Sequence, residues 1–159
     1  MKERKPPKNR KHAPKVVIGR RDRVDFPDLS LTDIDAKVDT GAFSCAMHCN
    51  DMKIFQRKDE PWVRFSLYED ALQVKHSARI LQYKNIKNSF GQKEQRCIIQ
   101  TRIRLFGADH WVDVALTNRE TMKNPVLLGR KLLMDRFVVD VSKVNLSYKL
   151  KLANKSKGR

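Results

Sequence analysis

Ala36-Lys37-Val38-Asp39-Thr40-Gly41-Ala42 places a carboxylate, a hydroxyl, a glycine and a small side chain in direct succession. A carboxylate fixed in a loop can take up or give a proton, and a neighbouring hydroxyl can support it by hydrogen bonding. Glycine permits the sharp turn and close backbone approach that larger residues resist. Such a string also occurs in ordinary turns, so it needs a second signal. That signal lies ninety positions on, from Asp39 to Gly129. There, Pro125 to Leu133 has the pattern of a short buried strand, a glycine break and a helical turn.

A second cluster with ligand chemistry is Cys45, His48 and Cys49, a compact C-x-x-H-C group. On a strand its two cysteines face one side and its histidine the other, and a closed site would need a fourth ligand. The group is therefore expected to be structural, with no metal and no cofactor. The four histidines, His12, His48, His76 and His110, never form H-E-x-x-H, and no G-x-x-x-x-G-K-[ST] loop is present. Nucleotide chemistry would have to come through a partner.

The elements that would position Asp39 are β-rich. Lys15 to Gly19 is a short apolar strand, and Leu31 to Val38 leads into the acidic loop. Phe43 to Cys49 and Asp51 to Gln56 are expected as two further strands. From Pro61 onward, Val63, Phe65 and Leu67 alternate against Arg64 and Ser66. Ala78 to Ile86 and Arg96 to Leu105 flank Asn88-Ser89-Phe90-Gly91, the pattern of a hairpin with an exposed tip. Trp111 to Thr117 alternates again. Phe137 to Val141 is strongly β-prone and follows a helical turn over Arg130 to Asp135. About ten short strands and one brief helix imply an all-β, barrel-like domain. There is no internal repeat that would supply a second Asp-Thr-Gly.

With 159 residues, 40% apolar, the chain suits a single domain with a real core. No apolar run approaches the roughly 20 residues of a membrane span, so no membrane partner is expected. Three cysteines are too few, and odd in number, for a disulfide scaffold, and the basic N-terminus lacks the apolar stretch of a secretory signal. A cytoplasmic location follows by default. The net charge is +16, with seven basic residues and one acid in residues 1–15 and six basic residues and no acid in 143–159. The expected division is a disordered basic tail over 1–14, a folded domain over 15–142 and a basic C-terminal strand or tail over 143–159. The tails are either solvated or contact an acidic partner, polyglutamate or nucleic acid. No aromatics interleave with the cations of the N-terminal tail, so base stacking there is not expected.

Taken together, the two separated stretches resemble the retropepsin-like aspartic peptidases. The resemblance is closest to the bacterial branch labelled "ATP-dependent zinc protease", which occurs near glutamate ligases of the ribosomal-modification type. Lys37 to Ala42, Ala46-Met47-His48, the Asn88 to Arg96 region and Pro125 to Arg130 carry it, over roughly residues 16 to 142. It implies a retropepsin-like closed barrel with one short helix near the C-terminus, acting as an aspartic endopeptidase. With one motif per chain, it further implies a homodimer in which Asp39 of each subunit meets at the two-fold axis. Thr40 would steady the pair across that axis, Gly41 would allow the approach, and Ala42 would leave room for a peptide or protein substrate. Ser89, Phe90 and Gly91 would form the flap tip over the substrate. Gly129 would let the buried strand bend beneath the acidic loop, with Arg130 tying the turn down. Phe43 departs from the viral enzymes, which carry an acid there to pair with the arginine, so Arg130's partner is open. The bacterial relatives differ here too, with Arg-Thr-Ser where this chain has Phe43-Ser44-Cys45. Two alternatives stand beside the peptidase. One is a catalytically silent module of this fold binding acidic or glutamylated peptides; the other is a nucleic-acid- or ribosome-associated protein using its cationic tails.

Overall fold

The computed structural model describes residues 14–67, 71–87, 90–118 and 123–158. Residues 1–13 of the expected N-terminal tail therefore lie outside the described residues, as do Asn88 and Ser89. Ten strands occur among the described residues: β1 (Val16–Ile18), β2 (Arg21–Phe26), β3 (Leu31–Val38), β4 (Cys45–Arg57), β5 (Glu60–Leu67), β6 (His76–Lys87), β7 (Lys93–Leu105), β8 (Ala108–Thr117), β9 (Val126–Leu128) and β10 (Phe137–Val139). Two α-helices accompany them, α1 (Arg130–Leu133) between β9 and β10 and α2 (Leu146–Lys157) after the last strand.

Eight strands form one sheet in the order β2-β3-β9-β4-β5-β6-β7-β8. Further pairings of β2 with β7 and of β4 with β8 bring that sheet back on itself in a ring-like arrangement. This is the mostly-β, retropepsin-like architecture that the sequence implies. Inside it, Val24, Phe26, Met47, Val63, Phe65, Ile99, Ile103, Val114, Leu116 and Leu128 make a continuous apolar core. The alternation read from Val63, Phe65 and Leu67 is the physical basis of that core, because successive strand residues point to opposite faces. Ser66 breaks the pattern by being buried as well. Its hydroxyl donates to the Asn50 carbonyl at 3.4 Å and bonds the Gln73 side chain at 3.1 Å. β8 is buried on both faces from Val112 to Thr117, since it lies between β7 and β4.

Two elements differ from expectation. The segments expected over Phe43 to Cys49 and Asp51 to Gln56 merge into one strand, β4, which starts only at Cys45 and whose register against β5 shifts between Asn50 and Lys53. Asp51 takes a φ of 50°, so the polar Asn50-Asp51 pair marks a bulge and not a strand end. The second is residues 143–159, expected as a strand or tail, which hold the twelve-residue helix α2. Buried Asp22 on β2 supplies that helix's N-terminal cap. Its Oδ2 accepts the Ser147 N–H at 2.9 Å and its Oδ1 the Tyr148 N–H at 3.0 Å. One turn on, Lys151 Nζ sits 2.8 Å from Asp25 Oδ2 and 2.6 Å from Asp33 Oδ1. The helix is thus specified by carboxylates more than a hundred residues away.

Candidate functional site

β3 ends at Val38, paired in parallel with Leu128 of β9, and the chain then turns through Asp39. Three backbone-directed bonds fix the turn. The Asp39 N–H donates to the Leu128 carbonyl at 2.9 Å, and the Ala42 N–H donates to the Asp39 carbonyl at 3.2 Å. The Gly41 N–H donates to Asp39 Oδ1 at 3.0 Å, an Asx-type turn that orients the carboxylate. A Cβ on Gly41 would come within 3.2 Å of that oxygen, so the glycine keeps the approach close. Asp39 is half-buried, while Thr40 and Gly41 are exposed. One carboxylate per chain is therefore held on an accessible loop with its rotamer already chosen.

Beneath the loop, β9 runs into α1 through Gly129. An added Cβ there would lie 2.4 Å from the Ser44 carbonyl oxygen and 2.8 Å from that of Phe43. Only glycine lets these backbones pass. The next two N–H groups, of Arg130 and Lys131, donate to the carbonyls of Ala42 at 2.8 Å and Phe43 at 2.9 Å. Bonds to α1's first N–H groups thus tie the Asp39 loop to the helix. Lys131 then pairs with Asp113 of β8 at 2.5 Å, fastening α1 to the sheet.

Among the described residues Arg130's partners are a carbonyl and a ring, not an acid. Its Nη1 donates to the Thr40 carbonyl at 2.9 Å, and its guanidinium lies 5.9 Å from the centre of the Phe43 ring. Lys84 of β6 places its ammonium 5.8 Å from the same ring, which is 47% exposed. The phenyl group therefore has two cations beside it. Sequence reading missed Lys84, which had no motif to mark it. That contact also sets the β6–β7 hairpin beside the loop. The hairpin's register runs from Ile80↔Ile99 to Lys87↔Lys93, and at its tip Phe90 is 88% exposed while Gly91 has a φ of 78°. So Asp39, Thr40, Gly41, Ala42, Gly129 and Arg130 come together as one unit, joined by Phe43 and Lys84. Phe90 and Gly91 stand at the hairpin tip.

Cys45, His48 and Cys49 are all buried on β4. Cys45 and Cys49 share the core-facing side with Met47. Burial pushes the Cys45 thiol up to about 11, and the Cys49 thiol is raised further by burial alone. Both stay protonated near neutrality, and Cys49 donates to the Met47 carbonyl at 3.5 Å. Alternation along β4 turns the two thiols to one face and His48 to the other, so the three side chains do not converge on one ligand position. No cluster of three or more His, Cys, Asp or Glu suited to a metal occurs among the described residues. No helix among them is long and apolar enough to cross a membrane.

Comparison with known proteins bears on the same stretch. The RimB-like family, described as "Retropepsin-like aspartic endopeptidase RimB", matches residues 17–149. A protein named "Probable alpha-L-glutamate ligase" from Shewanella pealeana is 34% identical over 132 residues, covering 80% of this chain and 29% of its own length. One of the same name from Desulfotalea psychrophila is 33% identical over 130 residues, covering 79% and 28%. The chain thus spans less than a third of the length of these curated relatives. A crystal structure of a Legionella pneumophila protein of unknown function superposes with a TM-score of 0.72 at 25% identity, covering 83% of this chain and 98% of that one.

Proposed function

The chain belongs to the RimB-like family of retropepsin-like aspartic endopeptidases, and on that footing we propose that it hydrolyses peptide bonds as a two-fold homodimer. Each subunit brings one Asp39 to the axis. Two carboxylates a few ångströms apart cannot both ionise cheaply, so they hold one proton between them. The ionised member takes a proton from a bound water while the resulting hydroxide attacks the scissile carbonyl. The protonated member hydrogen-bonds the carbonyl oxygen and stabilises the charge developing there. Collapse of the tetrahedral intermediate then sends a proton to the leaving amine, and the pair is restored. Which oxygen carries the proton at rest is a property of the pair.

The orientation of Asp39 by the Gly41 N–H, on a loop whose apex is exposed, supports this reading most strongly. Two such loops can meet without unfolding any element. Thr40, exposed beside Asp39, would hydrogen-bond across the axis, and Ala42 would leave space for a substrate backbone. The β6–β7 hairpin would close over it with Phe90 and Gly91 at the tip.

Lys84 and Arg130, beside Phe43 at the edge of the loop, favour substrates with acidic side chains. The relatives' ligase name points the same way, to glutamate-bearing peptides. Those two cations also favour a second reading, a non-hydrolytic module binding the same peptides. Incubating wild type and Asp39→Asn with a diverse peptide library, glutamate-rich members included, separates the readings. The peptidase requires cleavage by wild type that Asp39→Asn abolishes, and equal cleavage by both would exclude Asp39 chemistry. Acidic-peptide binding without cleavage by either protein would establish the binding module.

A further inference from the structure

The outer half of β4 and the facing part of β5 extend beyond the Asp39 loop as a long hairpin. Phe55 lies about ten residues beyond Cys45, roughly 30 Å along the strand at about 3.3 Å per residue. Alternation puts Lys53, Phe55 and Arg57 of β4 on one face with Glu60, Trp62 and Arg64 of β5, and β6 adds Arg79 opposite Trp62. Val63 and Phe65 point into the core, so this set faces outward.

Its members are ordered as a stack. Phe55 and Trp62 are a cross-strand pair with ring centres 6.4 Å apart. The Arg57 guanidinium lies 4.3 Å from the Trp62 ring centre and 5.6 Å from that of Phe55, and Arg64 covers Phe55 from the other end at 5.3 Å. Glu60 is committed to Arg79 at 3.2 Å. Lys53, Arg57 and Arg64 have no carboxylate partner among the described residues, so the face keeps three uncompensated cations. An arginine stacked on a ring presents its second planar face and its N–H edge outward.

We propose that this face binds single-stranded nucleic acid. Bases would stack on the guanidinium planes and on the ring area they leave open, while Lys53 and the arginine edges meet phosphates. An acidic peptide could satisfy the cations but brings no aromatic bases to the stack, and a duplex keeps its bases inside. Three strands about 4.8 Å apart offer room for about two or three nucleotides. Site and partner are independent of the Asp39 loop, which the same chain uses elsewhere.

The test is fluorescence anisotropy of labelled oligo(U) RNA and oligo(dT) DNA, each roughly 12 nucleotides long, with the full-length protein over a range of salt. Arg57→Glu with Arg64→Glu, both exposed sites, should weaken binding at least about tenfold and lower the salt slope by about two. Binding should quench indole fluorescence in wild type and Trp111→Phe but not in Trp62→Phe. Asp39→Asn should bind like wild type, so failure of the peptidase reading would leave this result untouched. A preference for RNA over DNA, or the reverse, identifies the source and supports the site. Unchanged affinity and slope in the double variant would overturn the proposal, placing any binding in the tails. Equal affinity for duplex, or capture of oligoglutamate but of neither oligonucleotide, would overturn it too.

Discussion

At Gly129 the presence of a single hydrogen where other residues carry a methyl group decides whether the Asp39 loop can form. An alanine there would drive its Cβ into the backbone oxygens of Ser44 and Phe43, which belong to a loop held by its own hydrogen bonds. Gly129→Ala should therefore cost about 3 kcal/mol, read as a lowered urea midpoint, whereas a loss below about 0.5 kcal/mol would show that the loop yields freely. In the proposed function Lys84 also meets the acidic groups of the substrate. Lys84→Gln should raise KM for glutamate-rich peptides about tenfold with little change in kcat, the pattern of lost uniform binding. A fall in kcat at constant KM would contradict that role. Asp39, Gly41 and Gly129 were legible in the sequence because their constraints are local, a turn needing a glycine and a strand crossing needing another. Arg130's partners were not. A backbone carbonyl and a phenyl ring satisfy the guanidinium without leaving a charge in the sequence to be paired with it.

Among the elements, α2 teaches the opposite lesson. Tyr148-Lys149-Leu150-Lys151-Leu152 alternates apolar and basic residues, which suits a strand at least as well as a helix. The helix is chosen by tertiary contacts, through Asp22 at its first turn and the Asp25–Asp33 pair at Lys151. Asp22→Ala would leave the Ser147 and Tyr148 N–H groups without their acceptor and should destabilise the protein by about 2 kcal/mol. A thermal-denaturation midpoint unchanged from wild type would show that α2 contributes nothing. The strand alternation around Val63 was legible for a related reason, since its pattern is set by one buried face.

The same helix contact carries a pH signature. Burial works to raise the Asp25 carboxyl, but the Lys151 ammonium and the Asp33 N–H outweigh it, and the group is held below its ordinary value of 3.8. A carboxylate lowered in the folded state stabilises fully above its unfolded value and loses that contribution as pH falls through the folded one. Wild type should thus lose stability below about pH 4 more steeply than Asp25→Asn. Lys151 is shifted upward by the same two carboxylates against its own burial. Its share is intact below 10.5 and lost as pH rises through the folded value. Parallel acid limbs for wild type and Asp25→Asn, followed by urea unfolding, would contradict this pairing.

For the molecule as a whole, the sequence carried the architecture through two motifs and a β-rich alternation, and it assigned most surplus charge to the ends. What it could not carry is the use of the outer β4–β5 face. Phe55, Arg57, Trp62 and Arg64 become one surface only when the two strands pair. The proposed self-association is equally a property of the assembled surface, and the proposal rests on there being one Asp-Thr-Gly in the chain. Mixing wild-type and Asp39→Asn subunits in equal amounts, at fixed total concentration and with a peptide the wild type cleaves, tests that account most directly. If each active site is built from two Asp39 residues, mixed dimers are inactive and activity falls to about one quarter of the all-wild-type value. Retention of about one half would mean that each chain works alone, and the shared carboxylate pair would be wrong.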